Sequence, residues 1–280
     1  MLFRQYDNIE TFNTGVLDIL LEHEVQNNLL ISLITNDNAQ YAKDWFLAAV
    51  SGDGGGIILT AICTKPFDLI LFETGNNICG DAVDLLAKEM RRMNYTPPGV
   101  MAAPDLARRF SDSFAGTGAG RLYMTSSIMR LDKLAGHKTA PGALRALEKR
   151  DMFFAPYWER AFSEDCRSHV FSIQEYTQRL TNRLGKDTHF FWEDGIPVSQ
   201  AVHGRDTPNG AVINGVYTPP HYRGLGYAKS AVAGLSKALL DSGIPFCCLF
   251  ADSGNPVSCG LYKSLGFYEV SELENIRFDI

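Results

Sequence analysis

The chain alternates short apolar runs with amphipathic stretches, a pattern that predicts a mixed α/β protein. In the first 130 residues, apolar runs between Gly- or Pro-containing turns predict strands at 45–50, 57–64 and 68–73, with a later strand at 121–131. Apolar residues at helical spacing predict helices at 14–24, 29–35, 80–93 and 103–114. We therefore expect the first half to be an α+β domain.

A small, polar segment at 135–141 (AGHKTAP) predicts a domain boundary, which divides the chain into 1–137 and 138–280. Beyond it, the pattern predicts helical turns at 143–149 and 152–162 and a helix at 172–184 that opens with a capping box of Ser172 and Glu175. Strands at 189–193, 196–203 and 211–217 follow, the first two joined by the hairpin dipeptide Asp194-Gly195. A helix at 226–242, a buried strand at 246–250, a short helix at 257–265 and a terminal strand complete the order.

The most informative segment joins the third of these strands to the next helix. It consists of Arg223, Gly224, Leu225, Gly226, Tyr227 and Ala228. Small residues at a helix entrance leave backbone N–H groups accessible, and the helix dipole favours an anion there, so such a turn can hold a pyrophosphate. Alone, the glycine spacing is equally typical of any strand-to-helix turn. A dinucleotide fold is disfavoured because the turn follows an antiparallel strand and no βαβ unit is apparent.

Together with a downstream segment, this turn resembles the GNAT superfamily of N-acetyltransferases. Residues 223–228 fit the family's Q/R-x-x-G-x-G/A motif, and the segment NPVSCGLYKSLGF is similar to the family's Asn before a helix that carries a Tyr and ends in Gly-Phe. The strings VYTPPHYRGLGYA and LFADSGNP are also similar to a bacterial group of predicted two-domain acetyltransferases. The resemblance implies a mainly antiparallel GNAT-like sheet flanked by helices in the C-terminal half.

The resemblance also implies roles for individual residues, with acetyl-CoA as the acyl donor and without a metal. The third strand would splay from its neighbour, and the residues at its end, Val216, Tyr217 and Thr218, would hydrogen-bond the pantetheine arm. Residues 223–228 would hold the pyrophosphate, Asn255 would contact the pantetheine, and Tyr262 would face the thioester sulfur as the catalytic acid. Thr218 as a plain strand residue and Asn255 as a helix cap are compatible alternatives.

The general base is open. The family often places a Glu on the third strand, where this chain offers only Asn214. Glu193 and His203 on neighbouring strands are conceivable bases, although a strand-end Glu is usually solvated and a lone His usually structural. The missing Glu favours an alternative function, a non-catalytic module that senses acyl-CoA, whereas Tyr262 favours an enzyme.

The N-terminal half lacks an R-x-x-G-x-G/A string, but its element order loosely echoes that of the C-terminal half. This order favours a degenerate GNAT-like copy, with an unrelated α+β domain as the alternative. A purely structural role for the chain would leave the matched motifs unexplained. The acceptor is expected to be a small-molecule or peptide amine, and polyamine, aminoglycoside, amino acid and protein amines all remain open.

Composition and charge indicate which classes of binding partner are disfavoured. The formal net charge is −6, and residues 138–280 carry 15 Lys and Arg against 16 Asp and Glu, so most of the acidity lies in the first half. No cluster of Lys and Arg exceeds two residues, which disfavours nucleic acid. The N-terminus lacks a leader pattern, the chain lacks a membrane-span pattern and the six cysteines are scattered, so we expect a cytoplasmic protein. A homodimer is possible, but no sequence feature supports it.

Overall fold

A computed structural model describes residues 1–35, 44–75 and 79–278. The described residues form twelve strands and eight α-helices. The strands are β1 (Leu2–Gln5), β2 (Phe46–Ser51), β3 (Ile57–Cys63), β4 (Leu69–Glu73), β5 (Gly99–Ala102), β6 (Gly120–Leu131), β7 (Ala143–Ala146), β8 (His189–Asp194), β9 (Ile196–His203), β10 (Gly210–Tyr217), β11 (Phe246–Asp252) and β12 (Tyr268–Phe278). The helices are α1 (Ile9–Leu21), α2 (Asn28–Thr35), α3 (Gly80–Arg92), α4 (Pro104–Ala115), α5 (Ala155–Asp165), α6 (Ile173–Thr181), α7 (Tyr227–Asp241) and α8 (Pro256–Ser264).

The chain forms two compact units that are not continuous in sequence. The first unit comprises Met1–Met129, Phe250–Cys259 and Glu269–Ile280, and the second comprises Arg130–Leu249 and Gly260–Tyr268. The chain thus enters the second unit at Arg130, and two later segments belong to the first unit. The predicted division into independent domains at 137/138 stays a prediction.

The first unit is a sheet with helices on both faces. Its strand order is β1-β2-β3-β4-β5-β12-β6, with β4 and β5 parallel and the neighbours from β1 to β4 antiparallel. Because side chains alternate along a strand, Phe46, Ala48 and Val50 of β2 join the core with α3 and α4, while Leu47 and Ala49 join the core with α1 and α2. Both faces of the sheet are therefore buried.

The second unit repeats this arrangement. Strands β7, β8, β9 and β10 pair antiparallel in that order, and β10 pairs parallel with β11. Phe191 of β8 packs in a core with Ala155 of α5 and Leu180 of α6. Its neighbour Trp192 faces α7, since a Cβ added at Gly234 would lie 3.4 Å from the Trp192 ring. Helices α5 and α6 therefore cover one face and α7 covers the other.

The two halves of the chain share one order of elements. From β1 to β6 the order is strand, two helices, three strands, helix, strand, helix and strand, and the same order recurs from β7 to β12. The pairing also repeats, because β4 and β5 are parallel as β10 and β11 are. This repetition supports the prediction of a GNAT-like copy in the N-terminal half.

Several local predictions are confirmed and one is wrong. Asp194 pairs with Ile196 across the predicted hairpin, and Ser172 and Glu175 form the predicted capping box at the start of α6. The segment 143–149, predicted as helical, instead contributes β7, because Ala143–Ala146 pairs along β8 and Arg145 reaches Asp151 and Glu193. Edge pairing here outweighs local helix propensity.

Candidate functional site

The end of β10, where the strand was predicted to separate from its neighbour, is irregularly paired. The parallel register with β11 covers only Gly210–Val212 against Phe246–Cys248, whereas β10 continues to Tyr217. Towards β9 the register shifts between Asn214 and Tyr217, which marks a bulge. The end of β10 therefore departs from regular pairing where the site was expected.

Gly215 makes this bulge possible. Its φ of +58° lies in the left-handed region, and a Cβ at this position would lie 2.9 Å from Cγ2 of Val202. Both the backbone angle and the space exclude larger residues. The bulge therefore depends on a glycine in the centre of β10.

The residues at the end of β10 are held by side-chain hydrogen bonds. Ser199 donates its hydroxyl to the Tyr217 carbonyl at 3.2 Å, and its oxygen lies 2.8 Å from the Thr218 hydroxyl. Tyr217 and Thr218 are buried, whereas Val216 is partly exposed. Thr218 thus has the structural role of a buried strand-end residue, and contacts of these three residues with pantetheine stay predictions.

The turn before α7 has the backbone that an anion site needs. Gly224 and Gly226 have φ values of +78° and +86°, and residues 223–226 are exposed. None of the described residues comes within 4 Å of a Cβ built on Gly224, and only Cβ of Ala140, at 3.8 Å, is that close to one built on Gly226. Ser230 N–H donates to the Gly226 carbonyl, so the preceding first-turn N–H groups have no partner within the helix. These groups can receive phosphate oxygens.

The Arg223 side chain turns back towards the end of β10. Its Nε donates to the Thr218 carbonyl at 2.9 Å, and its guanidinium pairs with Asp165 at 2.6 Å. The Arg223–Asp165 pair is half exposed and contributes little stability. Arg223 therefore fixes the turn against the strand end, and the anion-binding capacity lies in the backbone. At the other end of the turn, the Tyr227 hydroxyl donates to Asp194 at 2.7 Å.

The two downstream candidates lie at the start of helix α8 and within it. The Asn255 side chain accepts from Ser258 N–H at 3.1 Å, as a helix cap does. Tyr262, seven residues on and so on the same face of the helix, is 8% exposed and its ring meets Phe267 edge-on at 5.8 Å. Asn255 belongs to the first unit and Tyr262 to the second. Their roles towards coenzyme A stay predictions.

The two bases considered from the sequence, and the Asn that stands where the family often has a Glu, all have structural partners. Glu193 pairs with Arg145 at 2.5 Å and with Arg150 at 3.6 Å. The ring of His203 contacts Asp206 at 3.2 Å, and this contact raises the pKa of His203. The Asn214 amide donates to the Gly204 carbonyl at 2.9 Å.

A different carboxylate, missed from the sequence, lies beside the bulge. Oε1 of Glu159, on α5, accepts from Gln200 Nε2 at 3.0 Å and would lie 3.9 Å from a Cβ at Gly215. Burial raises the pKa of Glu159. The helical pattern of 152–162 contains this residue, but no motif distinguishes it from the other acids of α5.

The described residues were searched for metal sites and for membrane-spanning helices. Within the described ranges, no group of three or more His, Cys, Asp or Glu side chains is placed to hold a metal ion. Of the helices formed by these residues, none is long and apolar enough to cross a membrane.

Comparisons with known proteins define the class. Residues 153–267, which contain the bulge, the turn and Tyr262, match the acetyltransferase (GNAT) family model. This segment of the chain is therefore similar to GNAT acetyltransferase domains, a family whose members transfer the acyl group of an acyl-CoA donor. No curated protein sequence matches the chain.

Solved structures share the fold along the whole chain. A GCN5-related N-acetyltransferase from Sphaerobacter thermophilus is similar with a TM-score of 0.67 and 15% identity, covering 99% of this chain and 94% of that one. A GNAT-family acetyltransferase from Colwellia psychrerythraea has a TM-score of 0.61, 12% identity and 100% coverage of both chains. A tandem GNAT protein from the clavulanic acid biosynthesis pathway has a TM-score of 0.59, 12% identity and coverage of 98% and 97%.

Proposed function

We propose that the chain transfers an acetyl group from acetyl-CoA directly to a primary amine while both are bound. The observation that carries this proposal is the exposed turn at 223–226, whose two glycines have positive φ, at the entrance of α7. A turn of this kind fits the pyrophosphate of coenzyme A, because backbone N–H groups can bind its oxygens without a metal. The GNAT family match over 153–267 supports the same donor.

The place of the thioester follows from the adjoining strand. With the pyrophosphate at residues 223–228, the pantetheine arm would extend along Val216, Tyr217 and Thr218, where β10 runs past its pairing with β11. The acyl group would then lie near the bulge at Gly215. Binding donor and acceptor together turns a bimolecular reaction into an effectively unimolecular one, which supplies much of the rate.

Tyr262 is the proposed acid for the leaving thiol. A coenzyme A thiol with a pKa of about 8.5 is more acidic than a phenol of about 10, so a tyrosine stays protonated at neutral pH and can donate as charge develops on sulfur. Asn255 is the proposed contact of the pantetheine. The acceptor is an amine, and the acidic first half is compatible with a cationic one.

A thiol-release assay against a panel of amines tests this function. Purified full-length protein receives acetyl-CoA with spermidine, kanamycin, lysine or a peptide with a free N-terminus, and a longer acyl-CoA replaces acetyl-CoA in parallel. We expect amine-dependent thiol release with at least one acceptor and a higher rate with acetyl-CoA. Tight acetyl-CoA binding without release for any amine would contradict the proposal and indicate an acyl-CoA-sensing module.

A further inference from the structure

The carboxylate of Glu159 is held at a defined point of the β10 bulge. Gln200 Nε2 donates both to Glu159 Oε1 at 3.0 Å and to the Gly215 carbonyl at 3.1 Å. One amide group thus links the carboxylate of α5 to the backbone of the bulge. The Glu159 side chain is mostly buried and retains 16% exposure.

Polar atoms around Glu159 are buried without hydrogen-bond partners. Within the described part of the chain, both ring nitrogens of His189 and Oε1 of Gln200 lack a hydrogen-bond partner, and Nη1 of Arg183 makes only an ion pair with Glu159 Oε2, at 3.7 Å. The His189 side chain is fully buried, and its Nδ1 lies 4.0 Å from Glu159 Oε1, too far for a direct hydrogen bond. Buried polar groups are normally paired, and an unpaired cluster of them indicates a place where a polar ligand binds.

The charges around Glu159 determine which group can take a proton. Burial raises the pKa of Glu159, and Arg183 and Arg179 of the α6 region oppose this shift more weakly. Burial, assisted by the charge of Arg183, lowers the pKa of His189 to about 3, while the neighbouring Gln200 and the charge of Asp151 oppose that shift, so the ring is neutral at pH 7. Glu159 is the carboxylate of this cluster, and its raised pKa makes its ionised form a stronger base than an exposed carboxylate.

We propose that Glu159 accepts the proton of the acceptor ammonium, with Gln200 as the residue that positions its carboxylate beside the bulge. The inference rests on the proposed function, because it takes the thioester to lie at Gly215. The ammonium gives one proton to Glu159, and the neutral nitrogen attacks the thioester carbonyl. The C–N bond forms, the C–S bond breaks, Tyr262 gives its proton to the departing sulfur and is restored by the second nitrogen proton, and Glu159 later releases its proton to solvent.

A comparison of Glu159→Gln with Glu164→Gln tests this assignment. Both variants remove one carboxylate from α5, but Glu164 is half exposed and pairs with Arg160. We expect Glu159→Gln to lower kcat/KM for the best amine of the panel by about 10²- to 10⁴-fold at pH 7. Acetyl-CoA affinity should be unchanged, and Glu164→Gln should match the wild type in both.

Two further readouts separate proton transfer from a structural effect. The deficit of Glu159→Gln should shrink as pH approaches the pKa of the amine, about 10.4 for a lysine-like amine, because solvent then supplies neutral nucleophile. It should also be small with hydroxylamine, which is mostly uncharged at neutral pH. Glu159→Asp, which keeps the acid, should retain part of the activity and the wild-type pH dependence.

The outcomes distinguish this inference from the function on which it rests. Equal amine turnover by the wild type and Glu159→Gln would overturn the role of Glu159 and leave the acetyltransferase intact. A deficit independent of pH and equal for hydroxylamine would also overturn it, since the residue would then be structural. Absence of turnover in the wild type would overturn both proposals.

Discussion

At the scale of single residues, Tyr262 has both a packing role and a proposed chemical one. Its ring is buried against Phe267, and its carbonyl accepts from the backbone N–H groups of Leu265 and Phe267 where α8 ends. An amphipathic core tyrosine would show the same packing. Removing only the hydroxyl separates the two roles.

Tyr262→Phe keeps the ring and removes the proton donor. If the hydroxyl acts mainly as the thiol leaves, kcat should fall by about 10²-fold with acetyl-CoA affinity little changed. Tyr268→Phe is the matched control, because that hydroxyl donates to Asp132 at 2.7 Å and has no role in the proposed chemistry. We would measure steady-state kinetics, acetyl-CoA affinity and melting temperature on both variants. Together these measurements separate a catalytic role of the hydroxyl from a packing role. Full activity in folded Tyr262→Phe would reduce Tyr262 to a core residue.

Sequence patterns identified some residues of the site and missed others for a physical reason. Gly224 and Gly226 are visible because a positive φ at a helix entrance demands a small residue, and both have that conformation. Glu159 carries no such local signature. Its significance comes from burial and from Gln200, which lies 41 residues away in the chain, so only the folded structure reveals it.

At the scale of elements, the two ends of α7 offer a controlled test of the anion site. Gly226 precedes the helix with a φ of +86°, and Gly243 follows it with a φ of +95°. A Cβ at either position has room or only an ordinary contact. An Asp at either end therefore adds one negative charge and a comparable conformational strain from the positive φ. Only the Asp at position 226 would face the proposed pyrophosphate.

Gly226→Asp should weaken coenzyme A binding strongly, because the added carboxylate repels phosphate and crowds the N–H groups. Gly243→Asp should bind coenzyme A as the wild type does. Its loss of stability should be at least as large as that of Gly226→Asp, because an acid is unfavourable at a helix C-terminus. Calorimetric titration of both folded variants with coenzyme A measures this difference. Equal affinities would remove the pyrophosphate from residues 223–228.

Elements were predicted well where the local pattern agreed with tertiary pairing. The hairpin at Asp194-Gly195 and the capping box at Ser172 are set by turn and cap chemistry within a few residues. The short strands β1, β5 and β7 were not predicted as strands. Each has only four residues, which is too short for a clear alternating pattern. Each is defined by pairing with strands that are distant in the sequence: β1 with β2, β5 with β4 and β12, and β7 with β8.

At the scale of the whole chain, the last strand belongs to the unit that contains the N-terminus. Residues 274–277 of β12 pair antiparallel with 99–102 of β5, and Glu274, 4% exposed, accepts from Arg108 of α4. Segments after residue 249 return to the first unit, an arrangement that the composition of the chain does not signal. The hydrophobic pattern of the two halves, by contrast, showed a loose likeness in the order of elements, without the short strands β1, β5 and β7.

Gly99→Ala tests the placement of β12. A Cβ at Gly99 would collide with the Ile276 carbonyl oxygen and lie 2.8 Å from Oδ1 of Asp68. Overpacking of this kind should lower the free energy of unfolding by about 1–3 kcal/mol and lower the melting temperature with it. Gly56→Ala is the control, because none of the described residues comes within 4 Å of its Cβ. If both variants melt like the wild type, β12 does not pair at Gly99.

The central claim is that this chain moves an acetyl group from coenzyme A to nitrogen. Acetyl-CoA labelled with carbon-13 at the carbonyl, incubated with the full-length protein and the best amine of the panel, tests it most directly by NMR. The account predicts that the label passes from thioester to amide in step with thiol release, and that Gly226→Asp slows this transfer while Gly243→Asp does not. Label that stays in the thioester, or that appears only as free acetate, would contradict the account.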